Sequence, residues 1–168
     1  MKVYCLDTAG LSTPHMQLPE DVPLFRPIWD CVIRTIESGK IGVTAEIYKE
    51  MCHLTGDVGD CIRASKDRLL MEVDDPTWDG AGYIAQFNRM RQAHAEWIAD
   101  YTMKSPAKTI SLKDLTAVAL AKSLNLPLVS SESSARDSPK HKRIPDICAL
   151  ESVVPYSFNE FLRLEGGG

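Results

Sequence analysis

Asp7, Glu50, Asp114, Glu132 and Asp146 each stand where an apolar stretch of the sequence gives out or a helical pattern begins. Asp7 closes Val3-Tyr4-Cys5-Leu6-Asp7, and Thr8 follows it. Glu46 and Glu50 lie just beyond Ile41-Gly42-Val43-Thr44. Asp114 opens an apolar helical pattern, Leu126 to Ser130 runs on into Glu132, and Asp146 ends Arg143-Ile144-Pro145-Asp146. In open α/β sheets, ligands bind outside the carboxyl ends of the strands. Carboxylates gathered there repel one another unless a hard cation neutralises them. The chemistry this pattern suggests is therefore an all-oxygen Mg²⁺ or Mn²⁺ site. Two ions on such a cluster could activate a water and stabilise the leaving oxygen of a phosphodiester; one ion with a general base is the simpler variant.

Each acid has a plain structural role to weigh against this. Asp7 could cap a turn. Glu46 and Glu50 share a helix face and repel mildly, and Glu50 lies a turn further in, where its side chain can lean back towards the strand ends. Asp114, in a first helical turn, complements the helix dipole. Glu132 could sit on a loop surface, and Asp146 after Pro145 could start a short helix. The joint pattern outweighs the separate ones, because parallel strand exits would bring these acids to one end of one sheet.

The elements that must do this are legible in outline. Lys2 to Leu6 reads as a buried strand and Thr8 to Pro23 as a loop broken by Pro14, Pro19 and Pro23. Phe25, Ile28, Trp29, Val32, Ile33 and Ile36 recur at helical spacing, with Gly39 as the C-cap. Ile41 to Thr44 is a second strand and Ala45 to Leu54 a helix. Asp57 to Met103 carries helical patterns only, with Ile62, Leu69, Leu70 and Val73 marking one helix and Ile84, Phe87, Met90, Trp97, Ile98 and Tyr101 marking one or two more. Ser105 to Lys108 reads as a linker. Leu112 to Leu124 is a helix capped by Ser111, with Asp114 at its third position. Leu126 to Val129 and Val153 to Tyr156 are further strands, separated by a polar loop over Ser130 to Lys142, and Phe158 to Leu164 is a closing helix. Strands alternating with helices imply a parallel sheet covered on both faces, an α/β/α sandwich.

The chain has 168 residues, 44% of them hydrophobic and 25% charged, which suits a single domain over residues 1–165 with a flexible glycine tail at 166–168. A net charge of −4 argues against a non-specific DNA coat, while a local basic patch can still bind phosphates. The run Lys140-His141-Lys142-Arg143, with Arg136 nearby, is such a patch; charge runs are more often solvated surface, but this one adjoins two of the acids. The five cysteines form no Cys-x-x-Cys pair, and Cys5 and Cys148 read as small core residues, so a reducing cytosol is the simplest compartment. The opening strand leaves no room for a signal peptide, and no apolar stretch is long enough to span a membrane. Cys52, His53, Cys61 and His94 lack zinc-ligand spacing.

With these residues in view, the chain resembles the PIN-domain nucleases, which include the VapC-type toxins. Val3-Tyr4-Cys5-Leu6-Asp7-Thr8 looks like their opening strand and first acid. Ile41-Gly42-Val43-Thr44 with Glu50 looks like their second. Lys113-Asp114-Leu115-Thr116-Ala117-Val118-Ala119 and then Leu126-Pro127-Leu128-Val129-Ser130 resemble the third acid, its Ala-rich helix and the next strand. Lys142-Arg143-Ile144-Pro145-Asp146-Ile147-Cys148 resembles the Lys-Ile-Pro-Asp-x-Cys stretch of one subfamily. The resemblance implies a PIN-like three-layer sandwich and Mg²⁺- or Mn²⁺-dependent RNA cleavage, often restrained by an antitoxin protein. Asp7, Glu50 and Asp114 would form the metal site, with Ser130 or Thr8 orienting a carboxylate or a bound water. Glu132 and Asp146 compete for the fourth place, and Asp146, beside the basic run, is preferred. A second copy of the chain is a further candidate partner. Two other classes remain: a catalytically silent PIN-like binding module, and a phosphotransfer receiver domain. The receiver reading lacks its phospho-accepting Asp, since the second strand ends in Thr44.

Overall fold

The computed structural model describes residues 1–99, 109–133 and 142–167. In chain order it runs β1 (Tyr4–Leu6), α1 (Ala9–Gln17), a 3₁₀ turn (Pro23–Phe25), α2 (Arg26–Glu37), β2 (Ile41–Gly42), α3 (Ala45–Met51), α4 (Gly56–Ala64) and α5 (Lys66–Leu69). There follow α6 (Gly80–Ala93), β3 (Ile98–Ala99), β4 (Ile110–Ser111), α7 (Leu112–Leu124), β5 (Leu128–Val129), α8 (Ile144–Leu150), β6 (Pro155–Tyr156) and α9 (Phe158–Glu165).

Four short strands form the central sheet in the order β2-β1-β5-β6, and every pairing is parallel. β1 is central and fully buried, as an unbroken apolar run requires. Cys5 pairs with Gly42 on one side and Leu128 on the other. Pro155, which cannot donate to a ladder, is confined to the edge strand β6. The chain leaves β1 towards β2 on one side and leaves β5 towards β6 on the other. The carboxyl ends of β1 and β5 therefore flank the point where the strand order reverses, the place where ligands bind in open α/β sheets.

Both faces are covered. The Tyr4 ring meets Phe161 of α9 edge-on at 5.2 Å, and its hydroxyl donates to Glu165 at 2.8 Å. Phe158 of α9 stacks on the fully buried Trp29 of α2 at 5.6 Å. Against the sheet, α7 packs on β1 and β5 and in turn carries α3, α6 and α8. Leu115, Val118, Ala119 and Ala121 of α7 are all buried, since a helix between a sheet and other helices has apolar residues on most of its faces. The result is a mixed α/β protein with a central parallel sheet flanked by helices, as in a three-layer α/β/α sandwich.

The structure corrects the sequence reading in three places. Thr8 to Pro23 is not all loop, because α1 begins straight after Asp7. Pro14 inside it removes one helical bond, but Leu18 N–H still bonds the Pro14 carbonyl at 2.8 Å, and Leu11 and Pro14 are buried. The stretch from Ile62 to Val73 is not one helix: it breaks at Ser65, and Leu70 then forms a parallel bridge to Val43. Ile98 lies in β3, which pairs with β4 as a second, two-stranded parallel sheet leading into α7. Gly39 ends α2 with a left-handed φ of 75°. The Ser105 to Lys108 linker, Tyr101, Arg136, Lys140, His141 and Gly168 lie outside the described residues. Among the described residues no helix is long and apolar enough to cross a membrane.

Gly10 fixes how closely α1 approaches the sheet. A Cβ there would stand 2.6 Å from the Val129 carbonyl oxygen and 3.0 Å from a Leu6 methyl. Gly10→Ala is expected to push α1 off the sheet and lower unfolding stability by about 1–3 kcal/mol in urea titration. An unchanged midpoint would contradict this packing.

Candidate metal centre

Asp7 is 2% exposed, although it is a carboxylate. Its backbone N–H donates to the Val129 carbonyl at 3.0 Å, which extends the β1–β5 ladder one residue past Leu6. Its side chain thus leaves the sheet at the switch point. There the Ser130 hydroxyl donates to Asp7 Oδ2 at 3.2 Å. Ser130 is itself buried at the end of β5, and its Oγ also accepts the Glu132 N–H at 3.2 Å. One hydroxyl therefore positions two of the acids.

Asp114 reaches the same region from α7. Ser111 caps that helix, its Oγ accepting the Asp114 N–H at 3.1 Å, and Asp114 Oδ2 accepts the Ser111 N–H at 3.4 Å. This is the reciprocal capping box read from the sequence. The return bond is long, so the carboxylate keeps acceptor capacity for another partner. Glu50 comes from α3, whose N-cap Thr44 is bonded through its hydroxyl to the Thr116 hydroxyl of α7 at 2.9 Å. That buried pair fixes α3 against α7, and so the carrier of Glu50 against the carrier of Asp114. Glu50 Oε2 accepts from the Thr8 hydroxyl at 2.8 Å, and Glu50 Oε1 meets the Lys113 ammonium at 2.8 Å. Glu46, four residues earlier, is exposed.

Glu132 follows β5 beyond Ser130, and Asp146 is the third residue of α8. Glu132 Oε2 accepts the Ile144 N–H at 3.1 Å at the start of α8. Asp146 Oδ2 accepts the Arg143 N–H at 2.8 Å, closing the first turn of the same helix. Both acids are partly buried. Of the basic residues, Arg143 is exposed, while Lys142 is half-buried with its ammonium 5.7 Å from the Trp97 ring centroid. Lys142 is therefore partly a packing residue, through a cation–π contact.

The acids feel one another's charge. Burial first, then the charges of Asp114 and Glu132, push the Asp7 carboxyl up to about 7, against the pull of the Ser130 hydroxyl. Burial also raises Asp114, with Glu50 adding to the shift, and raises Glu132, with Asp114 and Asp146 adding to it. Glu50 moves the other way: burial pushes it up, but the bonds from Lys113 and Thr8 outweigh that and leave it lowered. Among the described residues, no three His, Cys, Asp or Glu side chains stand as a group able to hold a metal ion. Each carboxylate is instead turned to a hydroxyl, an N–H or an ammonium of the protein. The donor set itself, all carboxylate and hydroxyl oxygen, is the kind that hard divalent cations take.

Lys113 and the Thr44–Thr116 pair were not among the residues singled out from the sequence. Lys113 is visible beside Asp114, but nothing local announces its bond to Glu50, which is remote in the chain.

Fold and site together define an α/β protein with a partly buried carboxylate cluster at the carboxyl end of a parallel sheet. The chain belongs to the family described as a domain of unknown function, DUF4411, which matches residues 4–166. A comparison with curated proteins returned no match.

The Asp7 shift has a sign that stability can test. Its folded pKa, about 7, lies above its ordinary value of 3.8, so the native state holds this proton more tightly. The resulting stabilisation is complete below the ordinary value and is lost as pH rises through about 7. Asp7→Asn, which cannot ionise, should match wild type near pH 4 and exceed it at pH 8 by about 4 kcal/mol in metal-free thermal melts. An Asn variant no more stable than wild type at pH 8 would contradict the buried, repelled carboxylate.

Proposed function

We propose that this chain is a Mg²⁺- or Mn²⁺-dependent endoribonuclease of the PIN type, acting in the cytoplasm as the toxin of a toxin–antitoxin pair. The observation that carries the reading is Asp7: a buried carboxylate at the switch point of a parallel sheet, electrostatically coupled to Asp114 and Glu132. The hydrogen bonds these acids accept offset only part of their burial and mutual repulsion, and a divalent cation would offset the rest.

Asp7, Glu50 and Asp114, with Glu132 or Asp146, are the residues that would hold the cation. The bound metal supplies an activated water and neutralises charge on the leaving oxygen. The chain's own residues set the geometry. Ser130 fixes the Asp7 carboxylate through its Oγ–H and anchors Glu132 through the backbone. Thr8 orients Glu50, and Ser111 orients Asp114. Arg143, exposed at the start of α8, would meet RNA phosphates in this reading. Lys140 belongs to the same basic run in sequence, Arg136 lies shortly before it, and Lys142 adds its charge beside Trp97. The partners of this reading are RNA, an antitoxin protein and a second copy of the chain.

One observation favours a second reading. Every one of the five acids has a protein partner within hydrogen-bond reach, as in a silent binding module whose carboxylates serve only the fold. Activity separates the two. With Mg²⁺ or Mn²⁺ the protein should cut single-stranded or loop RNA, and a chelator should stop it. Asp7→Asn should reduce cleavage by more than ~100-fold, beyond what loss of an outer partner of a metal ligand costs. Arg143→Ala should weaken RNA binding and lower the salt slope by about one phosphate contact. Wild type and Asp7→Asn behaving alike, on cellular RNA and on growth when each is expressed without a partner, would favour the silent module.

A further inference from the structure

Lys113 occupies a position that helix electrostatics disfavours. It is the second residue of α7, at the end of the helix that carries partial positive charge, where an ammonium is unfavourable. Asp114, its neighbour, is the residue suited to that turn. Lys113 does not lie in solvent away from the helix end, because its Nζ stands 2.8 Å from Glu50 Oε1 on α3. The other oxygen of the same carboxylate, Oε2, accepts from Thr8 at the end of β1 at 2.8 Å. Both oxygens of Glu50 are thus engaged by groups from the elements that carry Asp7 and Asp114. The charge of Lys113 also bears on Asp114, which Glu50 repels.

We propose that Lys113 is a tethered counter-ion: its ammonium neutralises Glu50 in the metal-free protein, and a divalent cation must displace it from Glu50 Oε1 to bind. The inference rests on the metal-dependent reading given above. The geometry suits exchange. The Lys113 side chain is 47% exposed and that of Glu50 34%, so the ammonium can swing into water on its four-carbon stem. A half-exposed ion pair of this kind is weak, so it lowers metal affinity without abolishing it. No covalent bond of the protein changes in the exchange: the Lys113 N–H···O bond gives way to a cation–oxygen contact at the same atom, and a water of the cation is released. The Thr8 bond stays and keeps Glu50 oriented in both states. Lys113 is therefore a positioning residue that sets how much free cation the site demands.

The test is Mn²⁺ titration of the full chain, read by calorimetry and by the paramagnetic resonance signal of free Mn²⁺, for wild type, Lys113→Met and Lys113→Arg. Methionine keeps the apolar stem and removes the charge; arginine keeps the charge. Lys113→Met should bind Mn²⁺ about tenfold tighter than wild type, the size of one pK unit of coupling. It should also melt lower than wild type without metal at pH 8 and recover on adding Mn²⁺, whereas Lys113→Arg should bind no tighter than wild type. If wild type binds Mn²⁺ and Lys113→Met binds it equally or more weakly, the counter-ion role is overturned and the metal site stands. The role is also overturned if arginine tightens binding as methionine does. If neither wild type nor Lys113→Met binds Mn²⁺, both the counter-ion and the metal-dependent reading fall.

Discussion

The burial of Asp7 is the constraint around which this molecule is arranged. A carboxylate removed from water at the end of a central strand is costly unless it is protonated, hydrogen-bonded or paired with a cation. Here the Ser130 hydroxyl and the Thr8 backbone N–H reach it. That hydroxyl is in place because β5 lies beside β1 in parallel register, with Leu6 opposite Val129. The register depends on α7 packed across both strands and on Gly10 letting α1 come down close to Val129. Sheet order, helix packing and one glycine thus all converge on how Asp7 is presented.

Around it, the other acids are held by devices that also build the fold. Ser111 and Asp114 cap α7, Asp146 closes the first turn of α8, and Glu132 takes the Ile144 N–H that begins that turn. This double use explains why the cluster can exist in a stable protein. Each carboxylate gains a local bond that offsets part of its repulsion from the rest. It also explains why, among the described residues, no three of these side chains stand as a ready-made cage, since Asp114, Glu132 and Asp146 are each turned towards a backbone N–H at a helix start. Glu50 differs, because its partners, Thr8 and Lys113, come from distant segments of the chain.

Much of this was legible in the sequence. Buried parallel strands read as unbroken apolar runs, which makes β1, β2 and β5 legible to within two residues, while the exposed edge strand β6 is legible as the short stretch Val153 to Tyr156. The Ser111–Asp114 cap was read correctly because capping is local chemistry. The α1 helix was not, because three prolines within Thr8 to Pro23 read as breakers, whereas tertiary burial of Leu11 and Pro14 sustains a helix through one of them. The β3–β4 pair escaped because two-residue strands have no period to detect, and Ile98 fitted the preceding helical pattern equally well. Asp7 and Asp114 could be picked out from their places at element ends. The bond between Thr44 and Thr116, and that between Glu50 and Lys113, could not, since they depend on how α3 and α7 pack.

We propose that Asp7 and its companions form a site for a divalent cation. Because Asp7 holds a proton up to about pH 7, a cation that needs its ionised form must expel that proton. Calorimetric titration with Mn²⁺ near neutral pH, in two buffers of different ionisation enthalpy, reads this directly. The account predicts saturable binding accompanied by proton release, with both lost in Asp7→Asn. No binding, or binding with no proton released and undiminished in Asp7→Asn, would contradict it.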